Sequence, residues 1–241
     1  MKENNNFAEG IRDGIPICLG YFSVAFAFGI FSVESGLSIL QTLLISMTNV
    51  TSAGQLAGVP IIVAGGTLIE LAVAQLVINL RYALMSVSLS QKLGYTVKLI
   101  DRFIISFVNT DEVFAVASGK KGTVGKKYLY GLILTPYIGW SMGTLLGAGA
   151  GNILPASVVS ALGIAIYGMF VAIVMPEAKK SKATALCVLV AIMLSCCFRY
   201  IPALNTVPAG FTVIICAVAA SALFAWLAPV PVEYEEVETD E

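Results

Sequence analysis

TLIELAVAQLVINLRYALMSVSLS, from Thr67 to Ser90, decides the fold: it is an apolar helix that carries Glu70, Gln75, Asn79 and Arg81 through bilayer depth. At 100° per residue, the steps from Glu70 to Arg81 return to within about 20° of the same face, about 16 Å further along the axis. One stripe therefore holds both charges. An arginine near mid-membrane costs roughly 2.5 to 3.5 kcal/mol, so it normally faces protein, water or a partner charge. Two readings follow. Either Arg81 is structural, snorkelling to a surface or acting as counter-ion to Glu70, or it belongs to a polar pathway through the membrane.

The rest of the composition agrees with a bilayer as solvent. Of 241 residues, 58% are hydrophobic and 12% charged, and the mean hydropathy is +0.88. Soluble chains carry about 25% charged residues and do not need apolar runs able to cross about 30 Å of hydrocarbon. The expected class is all-α, a polytopic membrane helical bundle of six to eight membrane segments with one or two broken or re-entrant helices. Lys and Arg gather in a few short loops, whereas the last nine residues, EYEEVETDE, are strongly acidic. Nucleic acid is not an expected partner. Cys18, Cys187, Cys196, Cys197 and Cys216 all lie in apolar segments, without metal-site spacing, and read as packed thiols. No histidine is present, which removes imidazole as base, shuttle or ligand and argues against metal hydrolysis and Ser-His-Asp chemistry. No metal site or cofactor is expected.

Residues 1–13 read as a short cytoplasmic tail, residues 14–228 as one transmembrane domain and residues 229–241 as an acidic tail. The first apolar run continues past Ala25-Phe26-Ala27 to Val33 after a barely basic start, so an uncleaved helix is expected there instead of a removed signal. Pro16 would occupy its first turn, where a missing N–H costs little. Residues 38–58 begin as an apolar helix but pass into TNVTSAGQ. This reads as a broken or re-entrant helix lining a cavity, or as a complete helix whose small residues pack on neighbours. Residues 103–118, FIISFVNTDEVFAVAS, are interrupted by Asn109, Thr110, Asp111 and Glu112. Adjacent carboxylates at that depth must line water or meet a cation, for which Arg81 is the nearest candidate in type, or else Asp111 starts a helix at an interface.

NLRYALMS at 79–86 and TDEVFAV at 110–116, in that order and spacing, resemble two stretches of the AzlC-type branched-chain amino acid permeases. The opening GIPICLGYFSVAFAFGI resembles that family's first helix, and TSAGQL at 51–56 sits where the family carries an AG-x-AQ-F pattern, matching through its small residues and Gln55. The resemblance covers roughly the first half of the chain; beyond about residue 120 it rests on length and helix count. It implies a carrier of branched-chain amino acids in a bacterial cytoplasmic membrane, working as an exporter with a small AzlD-like membrane subunit.

Later in the chain, Lys120, Lys121, Lys126 and Lys127 form the most basic loop and Lys179, Lys180 and Lys182 a second, both expected in the cytoplasm. Gly139, Gly143, Gly147 and Gly151 recur every four residues, a ridge against which another helix can pack, in the same chain or a partner. Further helices are expected over 157–175, 184–200 and 209–228. No phosphate-binding loop of the form G-x-x-x-x-G-K-[ST] occurs, so an ion or proton gradient is the expected energy source. The leading expectation is thus a secondary transporter, not an enzyme. A small zwitterionic substrate would place its carboxylate on Arg81, beside Asn79, or on half-helix amides near Gln55, and its ammonium on Asp111 or Glu112, either of which could instead carry a proton. Glu70 and Pro16 are read as structural or coupling residues. A non-transporting scaffold using the glycine ridge and the acidic tail is the alternative, and an intramembrane enzyme using Asp111 and Glu112 a weaker one.

Overall fold

The computed structural model describes residues 3–150 and 181–228, together with 155, 157, 171, 174–176, 178 and 179. Among these the chain is helical, with isolated backbone bridges but no strands. It divides into two compact units, Met1–Val171 and Ala172–Glu241. The expected helix over 157–175 and the acidic tail lie largely or wholly outside the described residues.

In the first unit, α1 (Phe7–Glu34) and α7 (Lys126–Ala150) run parallel in close contact. From Gly139 on, their match advances by four residues on each helix: a Cβ on Gly139 would meet the Cys18 carbonyl at 2.6 Å, on Gly143 the Phe22 carbonyl at 2.4 Å and on Gly147 the Phe26 carbonyl, while nearer the helix starts Gly131 approaches the Phe7 carbonyl. The ridge from Gly139 to Gly147 is therefore an intramolecular seam, and Gly151 lies outside the described residues. Gly10, Gly14 and Gly29 of α1 make the reciprocal approach to α7 carbonyls. α1 also starts nine residues before Pro16, which lies inside the helix, not in its first turn. Asn6 caps it by accepting from the Ala8 N–H at 3.0 Å, and the seam extends to its first residues. The missing N–H of Pro16 costs one bond to Arg12, less than the packing gained on either side.

Two helices are broken. α2 (Ile39–Thr48) enters beside α7, where the Trp140 indole donates to the Ser46 carbonyl at 3.1 Å and Ser46 meets Thr144 at 2.6 Å. It stops at Asn49, and the chain turns back as α3 (Ser52–Val63), capped by Thr51. α4 (Leu68–Ser90), capped by Thr67, then descends antiparallel to α3. The central helix thus begins at Leu68, since Pro60 and Ile61 belong to α3 and Gly65, at φ +69°, turns the chain between them. α5 (Leu99–Phe107) and α6 (Asp111–Gly119) form a second hairpin broken at 108–110.

The ends of the hairpins identify their sides. Lys120, just after α6, reaches Glu9 and Asp13 of α1 at 2.7 Å, Lys92 reaches the Ser118 carbonyl, and both Asn4 and Leu93 bridge to Val124. The start of α1, the end of α4, both ends of the α5–α6 hairpin and the start of α7 therefore share one end. That end holds Lys92, Lys98, Arg102 and the 120–127 lysines, whereas residues 34–68 contain no Lys or Arg, so it is the cytoplasmic end. The Asp13 and then the Glu9 hydrogen bond hold the Lys120 ammonium above the usual lysine range, which keeps this latch charged at any physiological pH. The α2–α3 hairpin enters from the opposite end. α1 with its hairpin and α4 with its hairpin are thus two helix–hairpin units of opposite direction, an inverted repeat of the kind that builds midplane transport sites.

In the second unit, α8 (Lys182–Tyr200), capped by Ser181, packs on α9 (Ala209–Leu227), with Pro202 and Pro208 in the turn between. All five cysteines are free; Cys216 is buried, but Cys196 and Cys197 are exposed on α8, so they are not packed thiols within the chain. Among the described residues, α1, α4, α8 and α9 are long and apolar enough to cross a membrane, and the 25 residues of α7 follow α1 along the seam. This is an all-α multi-pass membrane protein. A cysteine at Lys98 is expected to react with an impermeant thiol reagent from the cytoplasmic face only; reaction from outside intact cells would mean that both hairpins cross the bilayer fully.

Candidate functional site

The two hairpin tips meet against the middle of α4. They bring together the ends of four short helices: the C-termini of α2 and α5, and the N-termini of α3 and α6. A cavity of about 150 Å³ opens there, lined by Thr48, Asn49, Thr51, Asn79, Tyr82 and Asn109 among others. Polar side chains tie the tips to α4. The Gln75 Oε1 accepts from Asn49 at 3.0 Å and from Asn79 at 3.1 Å, while its Nε2 donates to the Gly54 carbonyl at 2.7 Å. Asn109 donates to Ser86 at 3.1 Å, and the Tyr82 hydroxyl lies 3.4 Å from Thr51. The buried carbonyl oxygens of Asn79 and Asn109 have no partner, and an unpaired buried oxygen costs about 1 to 3 kcal/mol. Both side chains line the cavity, which therefore presents acceptors to a donor. Half-helix N-termini beside them present backbone N–H groups and the positive end of the helix dipole to an anion.

Arg81 sits two residues past the midpoint of α4 and does not line this cavity. It forms an ion pair with Asp111 at 2.8 Å and donates to the Tyr82 hydroxyl at 3.2 Å, with the guanidinium 5.0 Å from that ring's centre. Tyr82 thus joins the ion pair to the tip cavity. The pair is about half exposed, with side chains 53% and 42% accessible, and at this depth such a pair belongs beside water or protein instead of acyl chains. Asp111 also opens α6, so a helix start and a cation contact coexist in one residue. Glu112 turns the other way and accepts a hydrogen bond from Tyr21, halfway along α1. Glu70 is buried in the first turn of α4, three helical turns from Arg81, so the two charges share a stripe without pairing.

Gln55 is buried in α3 with its Oε1 unpartnered, outside the cavity lining. Thr51, which caps the start of α3, lines the cavity, so the helix N-terminus near Gln55 begins at its edge. Asn49, Gln75, Tyr82 and Ser86 were not singled out as site residues. The signal available for Gln75 was its four-residue spacing from Asn79, which puts both on one helix face.

A family model described as AzlC protein matches residues 16–154, which takes in α1 from Pro16 onward and all of α2 to α7. The chain is 28% identical over 195 residues to the "Inner membrane protein YgaZ" of Escherichia coli K12, covering 78% of each chain. It is 32% identical over 181 residues to an "Uncharacterized membrane protein" of Archaeoglobus fulgidus, covering 74% of this chain and 79% of the relative. A further "Uncharacterized membrane protein", from Helicobacter pylori, is 23% identical over 163 residues. No solved structure matches.

Proposed function

The chain belongs to the AzlC family, and from that premise we propose that it is a secondary transporter exporting leucine, isoleucine and valine across the cytoplasmic membrane, gradient-driven and assembled with a small AzlD-like membrane subunit. The observation that carries the reading is the cavity between the two hairpin tips, with helix N-termini for a carboxylate and the unpaired Asn79 and Asn109 oxygens for an ammonium. A zwitterion needs both, a short distance apart. Asp111, held by Arg81, and Glu112, held by Tyr21, lie one residue apart on α6 and are the proposed coupling carboxylates. No covalent step is required, so the activity is movement of solute and not catalysis.

The scaffold alternative loses one of its two working surfaces, because the glycine ridge is occupied by α1. The test is flux from the purified chain in liposomes, with and without a co-expressed small subunit, against a panel of amino acids. Gradient-dependent leucine flux that needs the subunit is expected. Full flux from the chain alone would remove the partner from the proposal, and no amino acid flux under either condition would overturn the transporter reading. Asn79→Leu, which removes the amide and fills the cavity, is expected to lower leucine flux by about tenfold or more at unchanged membrane abundance.

A further inference from the structure

In the hairpin that enters from the cytoplasmic end, α6 packs on α4 but α5 does not pack on it as its counterpart α2 packs on α1. Between α5 and the second half of α4 lies a second cavity of about 270 Å³. Leu89, Leu93 and Ile105 give it an apolar wall, Ser86 and Ser90 add hydroxyls, and Arg102 stands at its cytoplasmic end. It shares Ser106 and Asn109 with the tip cavity, so the two are neighbours divided by the Asn109 side chain. That side chain is 3% exposed and is held across the divide by its hydrogen bond to Ser86. The corresponding place in the inverted unit, between the second half of α1 and its hairpin, is closed. Phe28 and Val59 are fully buried there with Ala27 and Leu37, and Phe31, Ile45 and Leu56 pack on them. One helix–hairpin unit is thus open where its inverted partner is shut.

We infer that the cavity between α4 and α5 is a cytoplasmic entry site for a zwitterion with an aliphatic side chain, and that the Asn109–Ser86 contact is the inner gate between it and the tip cavity. This rests on the transport reading and adds where the solute enters and what admits it. Arg102 attracts the carboxylate to the mouth, the leucine and isoleucine wall takes the aliphatic chain, and release of Asn109 from Ser86 opens the tip cavity. The matching outer path opens only when the Phe28 cluster comes apart, so that both gates are not open together.

The experiment uses membrane vesicles holding the full chain and its subunit, with leucine as probe. Ser90→Cys is expected to react with an impermeant methanethiosulfonate from the cytoplasmic face, above the background of the native cysteines. Saturating leucine should slow that reaction at least about threefold, and glycine should not. Val50→Cys, which lines the tip cavity, should react from the cytoplasmic face at least about threefold faster when Ser86→Ala removes the hydrogen bond that holds Asn109. Leucine export by the unaltered chain is measured in the same vesicles and tests the transport reading separately. If that export is present but Ser90→Cys is unreactive from the cytoplasmic face, or reacts without protection by leucine, the entry site is overturned while the transporter stands. A Val50→Cys rate that Ser86→Ala leaves unchanged overturns the gate.

Discussion

Gly143→Leu is expected to abolish recovery of folded protein from the membrane, with no extractable monomer remaining. A Cβ at this position would lie 2.4 Å from the Phe22 carbonyl and 3.0 Å from its Cα, so the obstacle is backbone and cannot rotate away. Even one added methylene in a close-packed interior costs about 1 to 3 kcal/mol, and a leucine here must separate two long helices. The loss is compounded along the seam, because moving α1 outward at Phe22 also breaks the contacts at Gly139 and Gly147. Gly20→Ala and Gly149→Ala are the controls, since a Cβ at either meets nothing within 4 Å, and both should accumulate normally. Detergent extraction followed by size-exclusion chromatography reads the result. If Gly143→Leu yields a stable monomer that merely fails to retain its small subunit, the ridge faces the partner and the seam with α1 is wrong.

The broken hairpins were one of two readings the sequence offered, because polar residues at membrane depth either line a cavity at a break or pack within protein. TNVTSAGQ and VNTDE interrupt apolar runs too short to cross alone, and both breaks fall there. The parallel seam was half visible: four-residue glycine spacing announces close approach, but only coordinates show that Gly10, Gly14 and Gly29 answer it from α1. One helix start was misjudged. Pro16 looked like a starting signal, yet seam packing carried the helix back to Phe7, whereas the central helix begins after Thr67 as its sequence announces. The inverted repeat was not legible, since only direction and hairpin order are repeated and hydrophobic residues substitute freely for one another in lipid. Likewise the shared stripe of Glu70 and Arg81 was a correct consequence of helical geometry, but a stripe does not fix partners; Asp111, brought in by the second hairpin, is the cation's contact.

Arg81→Lys should accumulate to normal levels yet export poorly, by about tenfold or more below the parent chain. Lysine keeps a positive charge opposite Asp111, so the cost of an unpaired carboxylate is avoided. It loses the guanidinium, whose Nη2 serves both the Asp111 carboxylate and the Tyr82 hydroxyl while the group lies over the Tyr82 ring, and with it the link from the ion pair to Thr51 at the tip cavity. Because both partners are about half exposed, the pair itself is a modest contributor to stability, and Arg81→Ala is expected to reduce abundance only in part. The decisive comparison is Arg81→Ala combined with Asp111→Asn, which removes both charges and leaves no unpaired ion. A purely structural pair predicts that this double variant recovers abundance and export together; a pathway pair predicts recovered abundance with export still lost. Glu70→Gln tests Arg81 as counter-ion to Glu70, since Glu70 lies about 16 Å away along α4 and its neutralisation should not reproduce the Arg81 phenotype. Initial export rates normalised to membrane abundance decide among these, and near-normal export by Arg81→Lys would make the residue an anchor outside the transport path.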